Sequence, residues 1–207
     1  MNRIVELVVA FDDFEQKNPN AELSDFCRYY LMNYKTAPIT NSRGQLLKIL
    51  GRITSAFSLY HRAAMSKTTL PSPEGFYFLN GLAFLGEVRK TELINYLLME
   101  YTTGMEGINK LLKEELIKER PDESDRRAKL ISLTEKGASV LTDCYGYATK
   151  ANEMIFGDLD EDSIQLCIQL LKNIEEKHSK LAIEMKNKDF NTMYEQVCMK
   201  SNFTPII

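Results

Sequence analysis

The stretch Leu116-Ile117-Lys118-Glu119-Arg120-Pro121-Asp122-Glu123-Ser124-Asp125-Arg126-Arg127-Ala128-Lys129-Leu130-Ile131-Ser132-Leu133-Thr134-Glu135-Lys136-Gly137 decides how this chain folds. Two short strand-like runs, 116–120 and 129–133, flank the polar segment 121–127. That spacing predicts a two-stranded hairpin tipped by Asp125-Arg126-Arg127. Thr134 then precedes the acidic Glu135, a hydroxyl cap before an acidic first turn, which is what a helix N-terminus favours.

Upstream of the hairpin, residues 103–114 turn Ile108, Leu111 and Leu112 inward and Glu106, Asn109, Lys110 and Lys113 outward at helical spacing. Tyr101-Thr102-Thr103-Gly104 reads as a turn, preceded by a short helix over 90–99. Pro73 suits the start of another helix, 74–85, whose Phe76, Tyr77, Phe78 and Phe84 point to burial in the domain centre. Residues 45–65 carry a long apolar stripe from Leu46 to Ala64. Pro38 and Gly44 mark 35–44 as a linker, and helices are expected over 4–17 and 22–33. Downstream, long amphipathic helices are expected over 135–156 and 162–185, while 186–207 carries no clear pattern. The chain is therefore expected to be mainly α with a small β-hairpin. Two long helices after the hairpin and one before it carry more apolar surface than one small core needs, and a partner subunit explains it.

Composition narrows the function. With 44% hydrophobic and 27% charged residues the chain has a globular balance, and no apolar run reaches the roughly 20 residues that span a bilayer. The apolar start, 4–11, is too short and lacks the small-residue site of a secretory signal, so a cytoplasmic location is expected. Cys27, Cys144, Cys167 and Cys198 form no metal or disulfide spacing. Cys144 and Cys167 fall on apolar faces and are expected to be buried. His61 and His178 stand alone on long helices and are expected to be structural or surface residues, with no metal or other cofactor implied. The aromatics 76–84 are expected to form core rather than an effector pocket. No nucleophile elbow, phosphate-cradling loop or dinucleotide fingerprint occurs, so no enzymatic activity is expected.

The order helix, helix, strand, charged loop, strand is informative. A helix can enter a major groove while arginines at an adjacent hairpin tip reach the minor groove. Asp125 would fix a neighbouring guanidinium by a charge-assisted hydrogen bond. The run from Asp125 to Gly137, with Asp125-x-Arg127 followed at fixed distance by Leu133-Thr134, resembles the wing signature of the MarR (multiple antibiotic resistance regulator) family. Lys90-Thr91-Glu92-Leu93 and Ile108-x-x-Leu111 occupy matching places in the two preceding helices. The resemblance runs over 45–185 in helix order, and its motifs lie within 90–137.

That resemblance implies a winged helix-turn-helix core with long N- and C-terminal dimerisation helices. It implies a DNA-binding lobe over about 74–137, with 1–44 as a helical extension and 186–207 as a tail outside it. It also implies a homodimeric transcriptional regulator, a repressor, on a pseudo-palindromic double-stranded DNA site. Carried over by position, Thr102, Thr103, Met105, Asn109, Lys110 and Lys113 would contact bases and phosphates. Arg127 would enter the minor groove, Arg126 would lie near phosphate, and Asp125 would orient the wing. A small phenolic or lipophilic effector binding between dimer helices and DNA lobes would release the DNA.

The chain departs from the pattern at two positions. Glu106 stands where members commonly carry a cation, and Glu115 replaces the glycine that usually ends the recognition helix. Residues 89–136 hold ten Lys/Arg and ten Asp/Glu, and the whole chain has a net charge of −3. These features keep a second reading open, a winged-helix module for protein or ligand binding that has lost DNA recognition. For a DNA binder they imply modest affinity with steep salt sensitivity.

Overall fold

The computed structural model describes residues 2–33, 41–125 and 128–199. The chain divides into two compact units, Met1–Gly51 and Arg52–Ile207. The first unit contains α1 (Arg3–Lys17) and α2 (Leu23–Asn33). Asn2 caps α1, its side-chain oxygen accepting from the Ile4 N–H at 3.0 Å. The two helices meet through aromatic rings. Phe26 packs edge-on to Phe11 at 4.8 Å and near Phe14 at 5.6 Å between centroids, and Phe14 and Phe26 are buried.

α3 (Ser42–Met65) begins earlier than the sequence suggests, so Ser42, Arg43 and Gly44 are helical rather than linker. The Asn41 side chain accepts from the Gly44 N–H at 3.3 Å, which gives the helix an earlier start than its apolar stripe. Residues 34–40 of the expected linker lie outside the described residues.

The second unit continues with α4 (Gly75–Leu85), β1 (Val88–Arg89), α5 (Lys90–Tyr96) and α6 (Tyr101–Lys113). It is completed by β2 (Ile117–Pro121), β3 (Lys129–Leu133), α7 (Glu135–Phe156), α8 (Glu161–Met185) and α9 (Phe190–Met199). The expected hairpin is β2–β3, with Glu119 opposite Ile131. It belongs to a three-stranded antiparallel sheet of order β1-β3-β2, because Val88 pairs with Ile131 from the other side. One core joins these elements: Phe78, Leu79, Leu82, Leu93, Ile94, Ile108, Leu111, Ile117, Ile131, Leu141 and Cys144. Burying a leucine or isoleucine of this kind stabilises by about 1.5–3 kcal/mol. No helix among the described residues is long and apolar enough to cross a membrane.

Three expectations need correction. Tyr101-Thr102-Thr103-Gly104 is the first turn of α6, not a turn before it. Gly104 is there for close packing: a Cβ on it would sit 2.5 Å from Ile94 Cγ1 on α5. Phe84 is 76% exposed and stacks on Tyr96 at 5.8 Å, so it lies on the surface while Phe78 fills the centre. Cys167 is exposed, because α8 turns that side away from the core of its own unit, whereas Cys144 is buried as expected. Within 186–207, residues 190–199 are helical.

Candidate nucleic-acid interface

The residues that resemble the wing signature serve the fold first. Thr134 N-caps α7, its hydroxyl accepting from the Gly137 N–H at 3.0 Å and donating to the Glu115 carbonyl at 2.8 Å. Gly137 lies against the backbone: a Cβ there would come 1.9 Å from the Leu116 carbonyl oxygen. The start of α7 is thereby pinned to the chain segment that leaves α6 and enters β2. Glu115 holds φ +57° in that segment, where the family pattern has glycine. A non-glycine residue in this left-handed region costs about 1–2 kcal/mol. Two hydrogen bonds hold it, from Glu115 N–H to the Leu112 carbonyl and from Leu116 N–H to the Leu111 carbonyl, both 3.0 Å. The turn is made in spite of the substitution.

α6 buries Gly104, Ile108 and Leu111 on one side. On the other side Thr102, Thr103, Glu106, Asn109, Lys110 and Lys113 are exposed. Met105 differs from the other candidates, being half-buried against the core. Asp125 is half-buried at the tip of the wing, its carboxylate 4.0 Å from Arg89 Nη2. Arg126 and Arg127 lie outside the described residues.

Sequence reasoning missed the ionic web that supports the wing. Arg89, from β1, donates from Nε and Nη2 to Asp122 Oδ2 at 2.9 and 2.6 Å. The other oxygen of this buried carboxylate accepts from the Ser124 hydroxyl at 2.7 Å and its N–H at 2.9 Å. Ser124 and Arg89 together hold the Asp122 carboxyl down to about 2. Arg120 pairs with Glu87, and Glu119 pairs with both Lys129 and, at 2.7 Å, Lys90. Lys129 and then Lys90 hold Glu119 below the usual carboxylate range. The only local signal was the Asp-x-Ser spacing of 122–124, which favours a side-chain turn.

This web changes the meaning of the even charge count. Arg89, Lys90, Arg120 and Lys129 are neutralised within the sheet and the start of α5. Lys110 and Lys113 stand exposed on α6, and no ion pair ties either to an acid among the described residues. The exposed helix face therefore carries local positive charge on a lobe of no net charge.

Away from α6, His61 is buried and stacks on Tyr77 with centroids 4.7 Å apart and planes 22° from parallel. Burial pushes its imidazole below the ordinary histidine value, opposed by Glu74. Its Nε2 has no hydrogen-bond partner among the described residues. A cavity of about 140 Å³ opens beside it, lined by Ser58, His61, Arg62, Pro73, Glu74 and Tyr77.

Residues 79–137 match the family described as winged helix DNA-binding domain. The chain is 32% identical over 68 residues to the HTH-type transcriptional regulator MhqR of Bacillus subtilis (strain 168), covering 32% of this chain and 46% of that protein. The chain thus spans about half the length of the curated relative it matches. Its structure is similar to a MarR family transcriptional regulator from Streptomyces coelicolor in complex with DNA. The TM-score is 0.59 at 17% identity, over 70% of this chain and 92% of that one. Residues 79–137 thus form a winged-helix domain, and the fold is similar to that of MarR-type regulators. A SlyA-like transcription regulator from Listeria monocytogenes is also similar, with TM-score 0.62 and 19% identity over 74% of this chain and 97% of that one. Within the matched domain α5 and α6 correspond to a helix-turn-helix and β2 and β3 to a wing.

Proposed function

We propose that the chain is a sequence-specific DNA-binding transcriptional regulator. It acts as a homodimer whose two lobes read the half-sites of a pseudo-palindromic duplex. The observation that carries this reading is the exposed face of α6, where Thr102, Thr103, Asn109, Lys110 and Lys113 stand opposite the buried core of a lobe matched to a DNA-binding family. That face enters the major groove, with Asn109 and the threonines suited to base edges and the lysines to phosphates. Arg127 enters the minor groove and Arg126 lies near phosphate, on a wing whose base is stiffened by Arg89 and Asp122. Met105 supports the helix from below more than it reaches DNA.

Dimerisation is supported by α8, which exposes Leu166, Leu170 and Ile174 at four-residue spacing. A small phenolic effector fits the cavity beside His61. An engineered cavity of about 150 Å³ holds benzene, and the neutral imidazole with its unpaired Nε2 would accept a phenol hydroxyl. The test is binding to the DNA upstream of the chain's own gene, across a salt series, with and without simple phenols. Sequence-dependent binding at low salt that phenols weaken is expected, and binding to no sequence at low salt overturns the proposal. A winged-helix module turned to protein or ligand binding is the second reading, favoured by the exposed Glu106 on α6. That same experiment separates the two.

A further inference from the structure

Successive residues of an α-helix are rotated by about 100°. Tyr101, exposed at the first position of α6, lies about 140° from Glu106. Taking Thr102 as the origin, the remaining exposed residues of α6 fall in order around the helix as Asn109, Thr102, Lys113, Glu106, Lys110 and Thr103. They span an arc of about 120°, and Glu106 lies at its middle. The buried residues Gly104, Ile108 and Leu111 fall diametrically opposite. A helix seated with this face in a major groove points its midline at the base edges and its flanks at the phosphate walls. Glu106 is therefore the side chain aimed at the groove floor, with Lys110 and Lys113 on either side of it.

A carboxylate there has no partner among the described residues: no ion pair joins Glu106 to Lys110, four residues on, or to any other described cation. Facing DNA, it is repelled by phosphates and by the acceptor atoms of guanine and thymine. The major groove offers two donors, the amino groups of cytosine and adenine. Beside the adenine amino group lies the N7 acceptor, which repels a second carboxylate oxygen, whereas cytosine presents its amino group without an acceptor on the same base's groove edge.

We infer that Glu106 is a specificity-determining residue that requires a cytosine amino group at one position in each half-site. This rests on the DNA-binding reading above. The carboxylate acts in both directions, accepting a hydrogen bond at the right base and being left desolvated without a donor at the wrong ones, so it discriminates more than it tightens. A lobe of no net charge with an acid at the groove floor would then favour few sequences over the general run of DNA.

The test is selection of bound duplexes from a randomised pool by the full-length chain, in parallel with Glu106→Gln and Glu106→Ala. The wild-type chain is expected to enrich one C·G pair per half-site at a position that Glu106→Gln converts to A·T, because glutamine pairs in bidentate fashion with adenine. Glu106→Ala is expected to leave that position unspecified while the other positions persist. Replacing that cytosine by thymine is expected to weaken the wild type about tenfold and the alanine variant much less. Melting temperatures equal to wild type establish that the variants, altered at an exposed position, fold alike. Identical enriched sites for all three proteins overturn this inference and leave DNA binding standing. Failure of the wild type to enrich any sequence overturns the proposed function and this inference with it.

Discussion

Replacing Lys110 and Lys113 together by alanine should change how DNA binding depends on salt, by an amount the structure sets. Both lysines are exposed on α6 and neither is paired with an acid among the described residues. In a dimer, two lobes present four such charges. The logarithm of the affinity falls against the logarithm of salt with a slope of about 0.9 per phosphate neutralised. Losing four contacts therefore flattens the slope by about 3.6. Between about 50 and 200 mM salt, the wild type should lose about 150-fold more affinity than the double variant. The assay is fluorescence anisotropy with a fixed duplex over that range. Lys129→Ala is the control, since it removes a cation already paired with Glu119 and should leave the slope nearly unchanged. Parallel slopes for wild type and double variant would refute the reasoning, because α6 would then not lie against phosphates. Equal flattening by Lys129→Ala would refute it differently, by showing that total charge and not the α6 face sets the salt response.

Other consequences concern the fold around that face. Gly137→Ala drives a Cβ to 1.9 Å from the Leu116 carbonyl oxygen and should destabilise by about 3 kcal/mol in urea titration; unchanged stability would deny the close approach. Glu115→Gly relieves the left-handed conformation at φ +57° and should raise stability by about 0.5–1 kcal/mol after glycine's entropic cost. Loss of stability there would mean that the Glu115 side chain contributes more than its backbone costs. Asp122 is held from 3.8 to about 2, so its contribution is fully present above the unfolded value and is lost as pH falls towards 2. Stability measured by denaturant between pH 5 and pH 2 should fall less steeply in Asp122→Asn than in wild type, and equal slopes would count against the Arg89–Asp122–Ser124 cluster. Leu170→Glu with Ile174→Glu places two carboxylates on the exposed α8 stripe and should convert a dimer to monomers in sedimentation velocity; a variant that stays dimeric places the interface elsewhere.

Much of the architecture was legible in the residues because it rests on local periodicity. The period of α6 separates Ile108 and Leu111 from Lys110 and Lys113 whatever lies around the helix, and Thr134 before Glu135 marks a helix start by its own chemistry. The two-residue strand β1 was not legible, since Val88-Arg89 is too short to show an alternation. Phe84 and Phe78 look alike in sequence, and only the packing of α4 within the lobe decides that one ring faces water and the other the core.

The same division holds for the interface. By itself the sequence determined which side chains share the exposed face of α6, that a charged turn follows between two strands, and that the acids and bases of the lobe balance. Tertiary structure alone decided how that balance is spent. Arg89 meets Asp122, and Arg120 meets Glu87, across 33 residues of chain. Each pairing exists because β3 pairs with β1 on one side and β2 on the other, which brings both ends of the lobe together. Coulomb attraction at these short distances depends on that register and leaves no trace in local spacing. The register pairs four cations with acids of the lobe and leaves the lysines of α6, with Glu106 between them, facing outward.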